Sequence, residues 1–159
     1  MPAVPVGTQA PDFELKASGE RTVRLSELLK EGKNVIVAFF PAVFSPVCGD
    51  ELSVFQEALD EFERVDARVI AISVDNIWSV DAFAKAKGIT FPLLADFHPK
   101  GAVAERYGVM NSELGLAERA LFIVDPQGVI RYSYVSPMLE NPGADRLLDA
   151  LEQMRKKRA

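Results

Sequence analysis

The feature that most constrains this chain is the run Val35-Ile36-Val37-Ala38-Phe39-Phe40, six apolar residues with no polar alternation, stopped by Pro41. A strand that is apolar on both faces has to be covered on both faces, so the chain needs layers of structure above and below it. Proline carries no N–H for a ladder and fixes its own φ, which ends the strand at Phe40. Counted through to Phe44, the run is about half the ~20 residues that a membrane-spanning helix needs, and Pro41 interrupts it. It reads as a buried strand and its exit.

The segments around that strand supply the layers. Asp12 to Leu15 and Thr22 to Leu25 flank the turn-rich Ala17-Ser18-Gly19-Glu20 and predict an N-terminal hairpin. Ser26 is the expected start of a short helix that ends near Gly32, and Leu52, Phe55, Leu59 and Phe62 fall on one face of an amphipathic helix. Val69 to Ser73 is a second buried strand. Ser79 is the expected N-cap of a helix stopped by Gly88, and Pro92-Leu93-Leu94 is a further short strand. Lys100 to Tyr107 predicts a short helix closed by Gly108. Leu121 to Val124 and Val129 to Tyr134 flank Asp125-Pro126-Gln127-Gly128, a strong hairpin turn. Gly143 to Lys156 predicts a last amphipathic helix with Leu147, Leu148, Leu151 and Met154 inward. Strands alternating with helices and finished by a hairpin predict an α/β fold, a mixed central β-sheet with helices on both faces.

A chain of 159 residues can bury a sizeable core, and residues 1–159 are expected to form one domain. With 48% hydrophobic and 26% charged residues the composition is that of a folded globular chain and not of a disordered one. A net charge of -5 leaves no broad basic surface for phosphates, so no nucleic acid is expected as a partner. The N-terminal stretch MPAVPVGTQAPDFEL has neither a basic nor an apolar leader region. No membrane partner and a cytoplasmic location follow as expectations, the latter supported by a single cysteine that cannot form an internal disulfide.

That cysteine, Cys48, is the candidate centre of chemistry. A lone cysteine is commonly a small buried hydrophobe. Ser45-Pro46-Val47-Cys48, however, reads as an N-cap, a proline at the first helical position and a cysteine two residues on, where unpaired N–H groups and the helix dipole favour a thiolate. Other thiol chemistries fit poorly. Dithiol exchange needs Cys-x-x-Cys, and Glu51 stands where the second thiol would be. A cysteine hydrolase needs a histidine base, and the only histidine, His98, lies in the loop Asp96-Phe97-His98-Pro99. One cysteine and one histidine do not make a metal site, so neither metal nor cofactor is expected.

Pro41, Ser45 and Cys48 make the pattern P-x-x-x-S-x-x-C, followed by Glu51. The pattern resembles the active-site signature of the peroxiredoxins, thiol peroxidases on a thioredoxin-like fold. The resemblance covers nearly the whole chain. Val6-Gly7-Thr8-Gln9-Ala10-Pro11-Asp12-Phe13 is similar to the family's N-terminal segment, and Arg119-Ala120-Leu121-Phe122-Ile123-Val124-Asp125 to the strand that carries its arginine. Leu94-Ala95-Asp96-Phe97, Gly101-Ala102-Val103 and Tyr107-Gly108-Val109 look most like the one-cysteine alkyl hydroperoxide reductase E type. Many members have threonine where this chain has Ser45; serine keeps the hydroxyl and loses a methyl.

The resemblance implies a role for each matching residue. Cys48 is the nucleophile. Arg119 holds the thiolate and follows its charge onto the peroxide oxygens, its alternative being a salt bridge with Glu118 or Glu105. Ser45 orients the peroxide or caps the helix, and Pro41 shields the thiolate or simply ends the strand. Glu51 braces Arg119 or the loop backbone, with a plain helix-terminal carboxylate as its alternative. Phe40 and Phe44 form an apolar collar around the thiolate, or else pack in the core. The function implied is reduction of hydrogen peroxide, organic hydroperoxides and peroxynitrite through a thiolate to sulfenic acid cycle. The implied partners are the hydroperoxide, an external reductant and a second copy in a homodimer, with Trp78 a candidate interface residue. The reductant is a thioredoxin-, glutaredoxin- or mycoredoxin-like protein or a low-molecular-weight thiol. The alternative class is a redox-responsive chaperone or binding module whose cysteine is only packed.

Overall fold

Burying both faces of the Val35 strand organises the molecule. The structure, a computed structural model, describes residues 3–158; Met1, Pro2 and Ala159, part of the expected 1–159 domain, lie outside them. In chain order the elements are β1 (Glu14–Ala17), β2 (Arg21–Arg24), α1 (Leu25–Leu29), β3 (Asn34–Phe39), α2 (Cys48–Glu57), α3 (Leu59–Arg64), β4 (Ala67–Ser73), α4 (Ile77–Lys87) and β5 (Leu93–Ala95). They continue with α5 (Ala102–Arg106), β6 (Met110–Asn111), β7 (Leu116–Ala117), β8 (Arg119–Val124), β9 (Ile130–Ser136) and α6 (Asp145–Arg158). Seven strands make one sheet in the order β2-β1-β5-β4-β3-β8-β9, and β6 pairs with β7 in a small separate ribbon. The sheet is mixed: β3 runs parallel to β4 and antiparallel to β8, and β4 runs parallel to β5.

Every residue of β3 is buried. Alternation along the strand sends Ile36, Ala38 and, just past its end, Phe40 to one face, where Leu52, Phe55, Phe62, Phe83, Leu147 and Leu151 cover them. Val35, Val37 and Phe39 face the other way, onto Leu25, Val103, Tyr107 and Phe122. Helices α2, α3, α4 and α6 therefore cover one face, and α1 and α5 the other. The expected mixed sheet, the two helical layers and the N-terminal hairpin are all present. Among the described residues no helix is long and apolar enough to cross a membrane.

Several local expectations are corrected. The helix through Leu52 to Phe62 is broken at Ala58 (φ -91°, ψ 3°), whose N–H is shared between the carbonyls of Val54 and Phe55. Leu52, Phe55 and Phe62 stay buried across the break, so packing tolerates what the sequence period reads as continuous. Ser79 is not an N-cap: Asn76 is, and its side chain accepts from the Ser79 N–H at 3.0 Å. Likewise Ser26 lies inside α1, where its N–H and Oγ both donate to the Asp12 carboxylate at 3.0 and 2.9 Å. The helix thus opens one residue earlier than the local reading, and a distant carboxylate ahead of β1 satisfies its first turn. The β6–β7 ribbon has no period long enough to be read from sequence.

The turn after β8 behaves as its sequence requires. Asp125 accepts from the N–H groups of Gln127 and Val129, each at 3.0 Å, and from Arg131 Nε at 2.7 Å. Gly128 takes φ +84°, and a Cβ there would collide with the Gln9 side chain.

Candidate active site

Strand pairing brings the site together. Phe39 lies opposite Ala120 in the antiparallel β3–β8 pair, so Arg119 sits across from Phe40, at the exit of the central strand. Arg119 shares a strand face with Leu121 and Ile123, which belong to the same buried cluster as Cys48. The guanidinium is thereby aimed at the first turn of α2. Its Nη2 lies 3.4 Å from Cys48 Sγ, its Nη1 donates to Glu51 Oε1 at 2.5 Å and its Nε donates to the Met138 carbonyl at 2.9 Å. Three fixed directions from one planar group hold a thiol, a carboxylate and a backbone oxygen in one arrangement.

Cys48 and Glu51 are fully buried and Arg119 is 2% exposed. Glu51 follows Cys48 by one helical turn, so both face β8. Burial pushes the Glu51 carboxyl up to about 7, and the charge and hydrogen bond of Arg119 pull against that rise. Among the described residues the buried Glu51 Oε2 and Ser45 Oγ find no hydrogen-bond partner. An unpartnered buried hydroxyl is costly in a structural position and useful where a substrate oxygen has to be met.

The expected cap at Ser45 is corrected. Helix α2 begins at Cys48 itself, with Val47 in the capping position (φ -97°, ψ -27°) and no side-chain cap. Cys48 is thus the first helical residue, still within the turn whose N–H groups lack intrahelical partners. The reason is the preceding loop: the Val43 N–H is tied to Asp75 Oδ2 at 2.9 Å and Phe44 takes a left-handed φ of +63°, which overrides the local preference for a helix opening at Ser45. Pro41 is buried at the strand exit. Phe40 is fully buried in the cluster that contains Cys48, whereas Phe44 is 60% exposed, its ring edge-on to Phe83 with centroids 5.1 Å apart. The pair does not form a closed collar. Arg119 does not pair with Glu118, which accepts from Asn111 Nδ2 instead, and His98 is exposed in its loop. Asp75 and the Met138 carbonyl escaped the sequence reading. A polar Ser73-x-Asp75 directly after a buried strand was the available signal for Asp75, while a backbone carbonyl leaves none.

The sequence pattern of the AhpC/TSA family matches residues 6–133. The chain belongs to this family of peroxiredoxins. It is 42% identical over 128 residues to alkyl hydroperoxide reductase E of Mycobacterium tuberculosis, covering 80% of this chain and 83% of that protein. It is 38% identical over 138 residues to the selenocysteine-containing peroxiredoxin PrxU of Peptoclostridium acidaminophilum, covering 80% of this chain and 66% of that one. Among solved structures, Mycobacterium tuberculosis AhpC superposes with a TM-score of 0.86 at 26% identity, covering 98% of this chain and 96% of that one. Enterococcus faecalis AhpC gives 0.85 at 33% identity, covering 95% and 92%. The fold is therefore the thioredoxin-like peroxiredoxin fold. The cysteine of this family member is single in its sequence and lies in the buried cluster beside Arg119.

Proposed function

We propose that this peroxiredoxin is a one-cysteine, thiol-dependent hydroperoxide reductase with Cys48 as its nucleophile. The observation that carries the reading is the buried contact of 3.4 Å between Arg119 Nη2 and Cys48 Sγ. A thiol kept only for packing gains nothing from a guanidinium, whereas a thiolate and the charge it passes on need one. For the same reason the chaperone or binding-module reading is disfavoured.

In the reaction the Cys48 sulfur attacks one peroxide oxygen in line, the S–O bond forms as the O–O bond breaks, and the second oxygen leaves as alkoxide or hydroxide and takes up a proton. Sulfur is oxidised to the sulfenic acid and the peroxide is reduced to alcohol or water. Negative charge moves from sulfur to the leaving oxygen, and Arg119, fixed beforehand by Glu51 and the Met138 carbonyl, stabilises it without reorganising. The Ser45 hydroxyl supplies a donor and acceptor for the peroxide, and Pro41 keeps water from the sulfur. Hydrogen peroxide, organic hydroperoxides and peroxynitrite all present the oxygen pair this chemistry needs, with hydroxide, alkoxide and nitrite as their respective leaving groups. An external thiol then condenses with the sulfenic acid, releasing water, and a second thiol reduces the mixed disulfide. The reductant is a thioredoxin-, glutaredoxin- or mycoredoxin-like protein or a small thiol, which places the enzyme in a reducing cytoplasm.

Residues 1–159 work as one domain, paired with a second copy. The exposed Phe44, Trp78, Phe97 and Leu139, at 60, 82, 51 and 80% exposure, follow the C-terminal ends of β3, β4, β5 and β9 at the end of the sheet that holds Cys48. Exposed large apolar side chains at one end of the sheet support a homodimer. The function is tested by rapid mixing of the reduced chain with hydrogen peroxide and with an organic hydroperoxide, beside Cys48→Ser. Rapid thiol loss in the wild type and none in the folded variant is expected; peroxide consumption retained by Cys48→Ser would overturn the assignment.

A further inference from the structure

Asp75 lies outside the signature and outside the Arg119–Glu51–Cys48 contacts, between β4 and α4, yet it reaches the loop that carries Ser45. Its Oδ2 accepts from the Val43 N–H at 2.9 Å and from the Ser73 hydroxyl at 2.8 Å, and Ser73 is fully buried at the end of β4. One carboxylate oxygen thus joins the loop after β3 to the end of the neighbouring strand.

Phe44, immediately after Val43, has φ +63°. A residue with a Cβ holds that left-handed conformation only where its surroundings enforce it. Here the constraints stand on both sides of the strained bond: Asp75 fixes the N–H of Val43, and the Phe44 ring rests edge-on against Phe83. The reversal at Phe44 belongs to a turn from Ala42 to Ser45, in which the Ser45 N–H donates to the Ala42 carbonyl at 3.3 Å. Ser45 follows, three residues before the start of α2, and its Oγ is buried without a partner among the described residues. Charge-assisted hydrogen bonds are the stronger kind, and Val43 is bonded by an acceptor that bears one.

We propose that Asp75 is a positioning residue for peroxide reduction, holding the Val43–Phe44 reversal so that the Ser45 hydroxyl points to the place where the peroxide oxygens bind. The proposal rests on the peroxidase reading above. Asp75 acts through Ser45 and touches neither the sulfur nor the substrate.

Two reactions of Cys48 separate this role from a general structural one. Peroxide reduction uses the Ser45 hydroxyl, whereas alkylation by iodoacetamide needs only the thiolate. Asp75→Ala is expected to slow peroxide reduction about tenfold or more while alkylation stays within about twofold of wild type. Combined with Ser45→Ala, it should add no further loss, since residues acting through one group are non-additive. If Asp75→Ala does not fold, Asp75→Asn serves: its neutral oxygen gives a smaller loss, about threefold, still confined to the peroxide reaction and absent on the Ser45→Ala background. Equal slowing of both reactions, multiplicative losses with Ser45→Ala, or an unchanged peroxide rate in the folded variant each overturn the proposal. The wild-type rate distinguishes the two readings: a wild type as slow toward peroxide as a free thiol overturns the peroxidase assignment and this role with it, whereas a fast wild type with an equally fast Asp75→Ala overturns only the role of Asp75.

Discussion

Arg119 and Glu51 cannot be judged one at a time, because each is buried with the other as its charge partner at 2.5 Å. Arg119→Ala should destabilise the protein by removing the partner of a buried carboxyl, so a slow Arg119→Ala mixes folding with chemistry. Replacing both, as Arg119→Met with Glu51→Leu, should recover much of that stability in urea titrations while peroxide reduction stays about a hundredfold slower. Recovery of rate along with stability would show that Arg119 serves only the fold. Glu51 also carries a pH signature. Burial lifts its carboxyl from 4.5 to about 7 against the pull of Arg119, so between those values the folded chain keeps a proton that the unfolded chain has released. That contribution to stability is complete below 4.5, falls as the pH rises through about 7, and is level above it. Relative to Glu51→Gln, wild-type stability should therefore decline across this window, with a slope of at most about 1.4 kcal/mol per pH unit. A constant difference from pH 4.5 to 8 would mean that Arg119 keeps Glu51 ionised throughout.

The starts of α2 and α4 differ in what the backbone gives them. Asn76 caps α4 through its side chain, so Asn76→Ala should cost about 1 kcal/mol in thermal or urea unfolding, and Ser79→Ala less than about 0.5 kcal/mol. Helix α2 has no side-chain cap, and Ser45 Oγ has no hydrogen-bond partner among the described residues. Ser45→Ala should therefore leave the melting temperature unchanged or slightly raised while slowing peroxide reduction. A clear drop in melting temperature at full rate would return Ser45 to a structural role. The opposite assignment, a capping Ser45 and a capping Ser79, is what residue preferences alone suggest. In α4 the competing Asn stands three residues earlier, and in α2 the loop is fixed from β4 before the helix can begin.

For the molecule as a whole the decisive number is the single cysteine. After one peroxide has reacted, no thiol in the same chain is available to condense with the sulfenic acid. One equivalent of peroxide without thiol should give a dimedone-reactive Cys48. Excess peroxide should inactivate the protein progressively, and a small thiol added early should protect it as a mixed disulfide visible by mass spectrometry. A disulfide between the Cys48 residues of two chains as the main product of stoichiometric peroxide would instead make the second copy the resolving partner. Exposed Trp78 bears on that pairing: Trp78→Glu should shift sedimentation toward the monomer, and an unchanged profile would remove this face from the dimer contact.

What the sequence determined by itself is what near neighbours decide. Continuous apolar composition in Val35 to Phe40 required a strand covered on both sides, Asp125 to Gly128 required a turn, and the stretch Ser45 to Cys48 singled out Cys48 as the candidate nucleophile, with Pro41, Ser45 and Glu51 joined to it by resemblance. Even Arg119 was legible, but only through resemblance, because nothing in its own surroundings separates it from a surface arginine. Tertiary structure decided the rest. The pairing of Phe39 with Ala120 brings Arg119 to Cys48 across 71 positions of chain, and Asp75 reaches Val43 across 32. Contacts of that kind depend on strand order and register, which only the closing of the whole sheet sets. The same closure moved the start of α2 to Cys48, since a loop held at both ends by distant groups takes the conformation they allow and not the one its own residues prefer.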